Sequence, residues 1–419
     1  MKRIGILFDD SKIIPLDLSN PTNGNPGIGG TEYCFAMLIY YCSYYLKQYK
    51  VMVFHYNEQV RFSDNVENII IDSEKWESID KNSIDILVFR AGAYETTGLL
   101  GVLKRKQIKG VAWAHNYLSF QSAEILAKSS CVKKVVFVSA YMYNHYSKHR
   151  IGEKAIYIYN FVVGDEFALS RSTNYQPIVV YAGSIIPMKG FHLLAKEWKY
   201  IAKKIPKAKL YVIGSGQLYF SDSVMGKYGI AEEIYERRFM HYLLDKNGKI
   251  LDSVVFCGKM GTEKNDIYRK AAVGVMNPSG RSETFGLSAV EMEFVGVPVV
   301  TYDRASYRDI IEDDKTGYLC HSRNEFRKRI ISLLNDKENN LKMGLESKRF
   351  TKSKFNSEKT ILDWDKIFQE ILVEKEDTTI PKKEGLSLKS TVFISDAIKD
   401  IFFVVHEQIM KYVVRYFKY

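Results

Sequence analysis

Fifteen residues in the second half of the chain, Asn277-Pro278-Ser279-Gly280-Arg281-Ser282-Glu283-Thr284-Phe285-Gly286-Leu287-Ser288-Ala289-Val290-Glu291, set two carboxylates eight positions apart around a glycine. An apolar, strand-like run leads into them and a helix-like pattern follows. The backbone amides of Thr284, Phe285, Gly286 and Leu287 should therefore stand unpaired at a helix N-terminus. Such amides attract an anion, with the helix dipole adding roughly 0.3–1 kcal/mol, and a diphosphate fits that description. Glu291, one to two turns into the helix, can accept paired hydrogen bonds from vicinal hydroxyls such as those of a ribose, while Glu283 precedes the helix. The plainer reading makes Glu283 a stabiliser of the helix start and Glu291 a solvated surface carboxylate. Local chemistry does not choose between the two.

Other candidates lie in loops that follow strand-like runs. Lys189 closes Gly183-Ser184-Ile185-Ile186-Pro187-Met188-Lys189, Gly214 follows Leu210-Tyr211-Val212-Ile213, and Gly258 and Lys259 follow Val255-Phe256-Cys257. In the first half, Asn25-Pro26-Gly27-Ile28-Gly29-Gly30-Thr31-Glu32 offers Gly29 and Gly30, where backbone can approach a ligand closely. A glycine-rich loop taken alone also serves as a simple turn. His115 ends the run Val111-Ala112-Trp113-Ala114, a position where a lone histidine is more often structural than catalytic.

These loops must be held by a repeated framework. Short apolar runs alternate with helix-period segments in two successive series, the pattern of βαβ units and of parallel sheets covered on both faces. Strands are expected at 3–8, 51–55, 84–89, 110–114, 134–138 and 155–159, then at 178–182, 209–213, 254–257, 273–277 and 297–301. The expectation is an α/β protein of two Rossmann-like, doubly wound domains, residues 1–168 and 177–355, joined by a polar linker at 169–176. The long connection between Gly216 and Val254 reads as an inserted helical hairpin carrying Glu232, Glu233, Glu236, Arg237 and Arg238. Residues 374–419 form a charged linker and then an amphipathic helix with Ile394, Ile398, Ile401, Val405 and Ile409 at helical spacing. Its lysines and aromatics suit an anionic membrane surface, and packing against the body or a second subunit suits the pattern equally.

Composition sets outer bounds. A chain of 419 residues, 46% hydrophobic and 26% charged, can bury two sizeable cores. No apolar run approaches the roughly twenty residues of a spanning helix, and no secretory leader opens the sequence, so a cytoplasmic location is expected. Five scattered cysteines without a CxxC pair read as reduced structural thiols. A net charge of +11 favours anionic partners without choosing among nucleic acid, lipid and phosphorylated substrates.

Taken whole, the 277–291 segment resembles the E-x7-E motif of the retaining GT-B glycosyltransferases of family 4, the glycosyl transferases group 1. The resemblance extends, in the family's order, through Gly29-Gly30-Thr31-Glu32, Gly183 to Gly190, Leu210 to Gly216, Val255 to Lys259, Gly296-Val297-Pro298-Val299-Val300 and Thr316-Gly317-Tyr318. It implies a GT-B fold whose two domains face a central cleft, with residues 356–373 forming a helix that crosses back to the N-terminal domain. The matching roles are Glu283 at the donor sugar, Glu291 at the ribose hydroxyls, Lys189 at the diphosphate, the Thr284–Leu287 amides at phosphate and His115 at the sugar. Ser184 departs from the family, which commonly has an arginine there, and Arg281 and Arg304 are the candidates to replace that cation. Asn160-Phe161-Val162 resembles the segment ahead of the linker, with Phe161 in place of a glycine.

The implied reaction moves a sugar from a UDP- or GDP-sugar to a glycan or lipid-linked acceptor with retention, in surface polysaccharide synthesis at the inner membrane face, with no metal and no other cofactor required. A nucleotide-sugar 2-epimerase of the same fold is the alternative. A non-catalytic nucleic-acid or membrane-binding protein fits less well, and nucleic acid is not an expected partner.

Overall fold

Strands buried on both faces need continuous apolar runs, and β1 (Lys2–Leu7) meets that need with Ile4, Ile6 and Leu7 fully enclosed. The computed structural model describes residues 1–13, 15–71, 76, 79, 83–161, 171–172, 174–216 and 224–373. In the first half, β2 (Leu16–Asp17), β3 (Tyr49–His55), β4 (Val60–Arg61), β5 (Glu67–Ile70), β6 (Ile86–Arg90), β7 (Lys109–Ala114), β8 (Val132–Phe137) and β9 (Ala155–Tyr157) follow β1. A seven-stranded sheet runs in the order β5-β3-β1-β6-β7-β8-β9, every pair parallel, with β2 and β4 forming a separate short ladder.

The second half repeats the plan. There β10 (Ile178–Ala182), β11 (Lys209–Ile213), β12 (Val254–Gly258), β13 (Val273–Val275), β14 (Val299–Tyr302) and β15 (Gly317–Cys320) make a parallel sheet ordered β12-β11-β10-β13-β14-β15. Each strand order reverses once, at β1/β6 and at β10/β13, and crevices for ligands open beyond the carboxyl ends of strands at such reversals. The architecture is the α/β, GT-B arrangement of two Rossmann-like sheets.

Helices cover the sheets: α1 (Gly30–Tyr45), α2 (Leu99–Arg105), α3 (Phe120–Lys128) and α4 (Ala140–Tyr146) in the first half. In the second are α5 (Phe191–Lys204), α6 (Glu233–Met240), α7 (Lys264–Lys270), α8 (Leu287–Val295), α9 (Tyr307–Ile310), α10 (Arg323–Asn335), α11 (Lys337–Lys354) and α12 (Ser357–Val373). The last returns to the first sheet, where Trp364 meets Trp113 edge to face with ring centroids 5.0 Å apart and Asp365 accepts from the Tyr49 hydroxyl at 2.8 Å. Among the described residues no helix is long and apolar enough to cross a membrane. The amphipathic segment in 374–419, Phe167 and residues 169, 170 and 173 of the linker lie outside the described residues. Within that linker, Arg171 is not simply solvated, since it donates to the carbonyls of Ala271 and Gly296 and to Asn340 Oδ1.

Two elements differ from the sequence expectation. The connection before Val254 is not a helical hairpin over its described residues, because α6 is a single helix followed by a tight turn in which Asp245 accepts from the amides of Asn247 and Lys249. Leu244 and Ile250 then pair as an antiparallel bridge. Glu236 is buried and accepts from the amides of Tyr228, Ile230 and Ala231, which binds the preceding loop to the helix. The second difference is four strands outside the expected ranges: the two-residue β2 and β4, the edge strand β5 with Glu67 and Asn68, and β15, whose first residue is Gly317.

Glu293 packs on the face of α8 away from the cleft, fully buried between Thr316 and Thr351. Thr351 Oγ1 lies 2.8 Å from the Ser347 carbonyl and 3.5 Å from Glu293 Oε2, so its single hydrogen is better used on the carbonyl. A protonated Glu293 then donates to Thr351, and burial drives its carboxyl well above the ordinary value in the same direction. Because the folded value lies above the unfolded one, this group's stabilising contribution is present at acid pH and is lost as pH rises past the unfolded value near 4.5. Glu293→Gln should remove that slope, so that urea unfolding gives the variant a larger advantage over the parent at pH 8 than at pH 5. Equal differences at the two pH values would refute a neutral Glu293.

Candidate active site

The cleft between the two sheets is built from loops at both strand-order reversals. After β10 the chain turns at Gly183, and after β11 at Gly214 (φ +137), whose amide donates to the Gly258 carbonyl at 2.8 Å. A Cβ on Gly214 would stand 2.0 Å from the Gly183 carbonyl oxygen, so these two loops meet only because no side chain intervenes. After β13, Asn277 (φ 34) and Ser282 (φ 52) hold left-handed conformations that fold the 277–283 loop back on itself. Asn277 Nδ2 secures it by donating to the Arg281 carbonyl at 3.2 Å and to Glu283 Oε2 at 2.8 Å.

Glu283 is thereby turned toward Lys189, whose Nζ lies 3.1 Å from the same Oε2. Gly286 (φ +94) caps α8, and both Ala289 and Val290 return their amides to the Gly286 carbonyl. The amides of Leu287 and Ser288 therefore precede the first intrahelical bonds, as an anion site at a helix start requires. Glu291 lies on the cleft side of α8 and pairs with Lys264 of α7, Nζ to Oε2 2.8 Å.

The first half supplies the opposite wall. Asn25 winds the glycine loop by accepting from the amides of Gly27 and Ile28, which brings Gly29 and Gly30 to the start of α1 opposite Leu287. Glu32 pairs with Arg90 at 3.1 Å. The halves are also joined directly: Thr284 Oγ1 donates to the His115 carbonyl and Ser139 Oγ to the Thr284 carbonyl, both at 2.6 Å, and the Tyr141 amide to Asp309 Oδ2 at 2.8 Å.

The resulting cleft, ≈ 260 Å³, is lined by Gly29, Gly30, His115, Gly183, Ser184, Lys189, Gly214, Lys259, Glu283, Thr284, Phe285, Gly286, Leu287 and Glu291 from the sequence expectation. Two expected donor residues are not brought to its wall. Gly258 uses its carbonyl on Gly214 within the sheet edge, and Arg281 is not among the lining residues. Arg304 is also occupied elsewhere, donating to the Ser279 carbonyl at 3.0 Å. Among the described residues the lysines lining the cleft are Lys189, Lys259 and Lys264. Sequence reasoning missed Asn277, Lys264 and Tyr268, none of which carries a local signal. No three His, Cys, Asp or Glu side chains converge as a metal site among the described residues.

His115 is buried beside the Phe35 and Trp113 rings, and its Nε2 has no hydrogen-bond partner among the described residues. Burial, assisted by the Arg90 charge, pulls its pKa down to about 3, so the ring stays neutral at physiological pH. It can serve as a neutral hydrogen-bonding group, not as a charge that switches near pH 6.5. We expect His115→Asn to lower turnover by about tenfold, the scale of one lost hydrogen bond, while the pH–rate profiles of parent and variant stay parallel from pH 5 to 8. An inflection near pH 6.5 present only in the parent would contradict a neutral His115.

Fold and cleft define a two-domain protein of the GT-B class. Residues 165–350 match the family of glycosyl transferases group 1. An uncharacterised glycosyltransferase of Haemophilus influenzae is 24% identical over 308 residues, covering 69% of this chain and 77% of that protein. The capsular polysaccharide biosynthesis glycosyltransferase CapM of Staphylococcus aureus is 24% identical over 202 residues, 48% of this chain and 47% of its own length. Among solved structures, Anabaena HepE in complex with UDP and glucose superposes with a TM-score of 0.66 at 13% identity, covering 88% of this chain and 100% of HepE, a likeness of fold.

Proposed function

We propose that the chain transfers a sugar from a UDP- or GDP-sugar to a glycan or lipid-linked acceptor with retention of configuration, in the synthesis of a surface polysaccharide. The observation that carries this reading is the convergence in one cleft of two carboxylate–lysine pairs and the first amides of α8. Glu291 receives the ribose hydroxyls, the α8 amides and Lys189 hold the diphosphate, and Glu283 and His115 orient the sugar. The glycines of both walls let the backbone come close to the donor. CapM and the UDP-bound HepE structure support the polysaccharide context and the nucleotide.

In the reaction, the bond from the anomeric carbon to the diphosphate oxygen breaks as the acceptor oxygen bonds to that carbon from the same face. The acceptor's proton passes to the departing diphosphate. The side chains contribute position and preorganised positive charge, both stronger in a closed cleft than in water. A panel of UDP- and GDP-sugars screened by thermal shift tests the reading, since a true donor stabilises the state that binds it. NMR of the product's anomeric proton then reads the stereochemistry. If no sugar nucleotide raised the melting temperature and none were consumed, the reading would fall.

A further inference from the structure

Lys264 and Tyr268 sit four residues apart on α7 and so share a helix face, and both line the cleft beside Glu291. The Lys264–Glu291 pair is largely withdrawn from solvent, with side chains 13% and 12% exposed. The Tyr268 hydroxyl is buried and has no hydrogen-bond partner among the described residues, an arrangement that is costly unless a ligand supplies one. Glu291's charge adds to burial in pushing that phenol's pKa up, which places the hydroxyl within the field of the carboxylate.

A carboxylate can only accept hydrogen bonds, whereas each hydroxyl of a ribose diol both donates and accepts. Against a pair so far withdrawn from solvent, the diol's oxygens need donors besides the carboxylate that takes their hydrogens. Lys264 carries three ammonium hydrogens, of which the bond to Glu291 uses one, and Tyr268 carries one more. We propose that Lys264 and Tyr268 complete the ribose subsite around Glu291 and make the site selective for nucleotides with an intact 2′,3′-diol over their 2′-deoxy counterparts. This rests on the nucleotide-sugar reading above.

The test is calorimetric titration of the full chain with UDP, GDP and the 2′-deoxy form of each. The parent should prefer the ribonucleotide by at least about tenfold, because a site built around a hydroxyl leaves polar groups unpaired when it is missing. Lys264→Met should weaken the ribonucleotide by about tenfold and the deoxynucleotide by less than about threefold, so that the preference collapses. Tyr268→Phe, which removes only the hydroxyl, should narrow the preference in the same sense and keeps the test open should the lysine variant fail to fold. Near-UV circular dichroism checks both variants. Two results overturn the inference: an unchanged preference in both variants, or equal weakening of both nucleotides, which would reduce Lys264 to a general charge. A parent that binds neither UDP nor GDP would instead overturn the donor reading itself.

Discussion

We expect Lys189→Ala to lower kcat by about 10²–10³-fold with far less change in the donor KM, the effect of removing one preorganised positive charge from the departing group of the proposed reaction. The ammonium lies 3.1 Å from Glu283 at the mouth of the Gly183 loop, 94 residues away in sequence, so its position is fixed by the fold and not by its neighbours. In the proposed reaction charge on the diphosphate grows as its bond to the sugar breaks, and an interaction that strengthens along that path appears in kcat. Lys189→Arg should rescue only part of the loss, because a planar fork does not replace a point charge in the same space. Since Glu283 shares the pair, the Lys189→Ala/Glu283→Gln double variant should lose much less than the product of the two single losses. Single-turnover kinetics with saturating donor read this directly; a Lys189→Ala rate within threefold of the parent would exclude the role.

Gly214→Ala should cost about 3 kcal/mol in the second half, combining overpacking with the left-handed penalty. The added carbon would stand 2.0 Å from a backbone oxygen, which cannot swing aside as the end of a side chain can. Gly229 provides the control, since its φ of +68 is also left-handed but nothing lies within 4 Å of the added carbon. Gly229→Ala should therefore cost only about 1–2 kcal/mol, the conformational part. Calorimetry of the second-half transition measures the difference, and nucleotide binding should weaken in the first variant alone. Equal destabilisation by both would show that the Gly183–Gly214 contact is soft.

Much of the framework was legible because strands buried on both faces leave a continuous apolar record, as in Ile178-Val179-Val180-Tyr181-Ala182. The β5 strand left a poorer record: an edge strand tolerates Glu67 and Asn68, whose types favour loops. In the site, Glu283 and Glu291 stand out in the sequence at a strand-to-helix junction, and only the resemblance to the E-x7-E family gives them a ligand role over a structural one. Lys264 was not, because it lies 27 residues before its partner and only the packing of α7 beside α8 unites them. Arg281 shows the converse. Two residues before Glu283 and a candidate for the cation missing at Ser184, it is not among the residues that line the cleft, whereas Glu283 is. Asn277 itself looks like an ordinary turn residue until its amide is seen holding Glu283.

Thr284 gives its carbonyl and hydroxyl to the seam between the halves while standing at the start of the anion-binding helix. On the proposed donor reading, parting the domains would break those bonds at the turn that holds the leaving nucleotide. If the proposed reaction holds, release of spent nucleotide and opening of the seam would be one mechanical event, and the lifetime of two short hydrogen bonds would enter the pace of turnover.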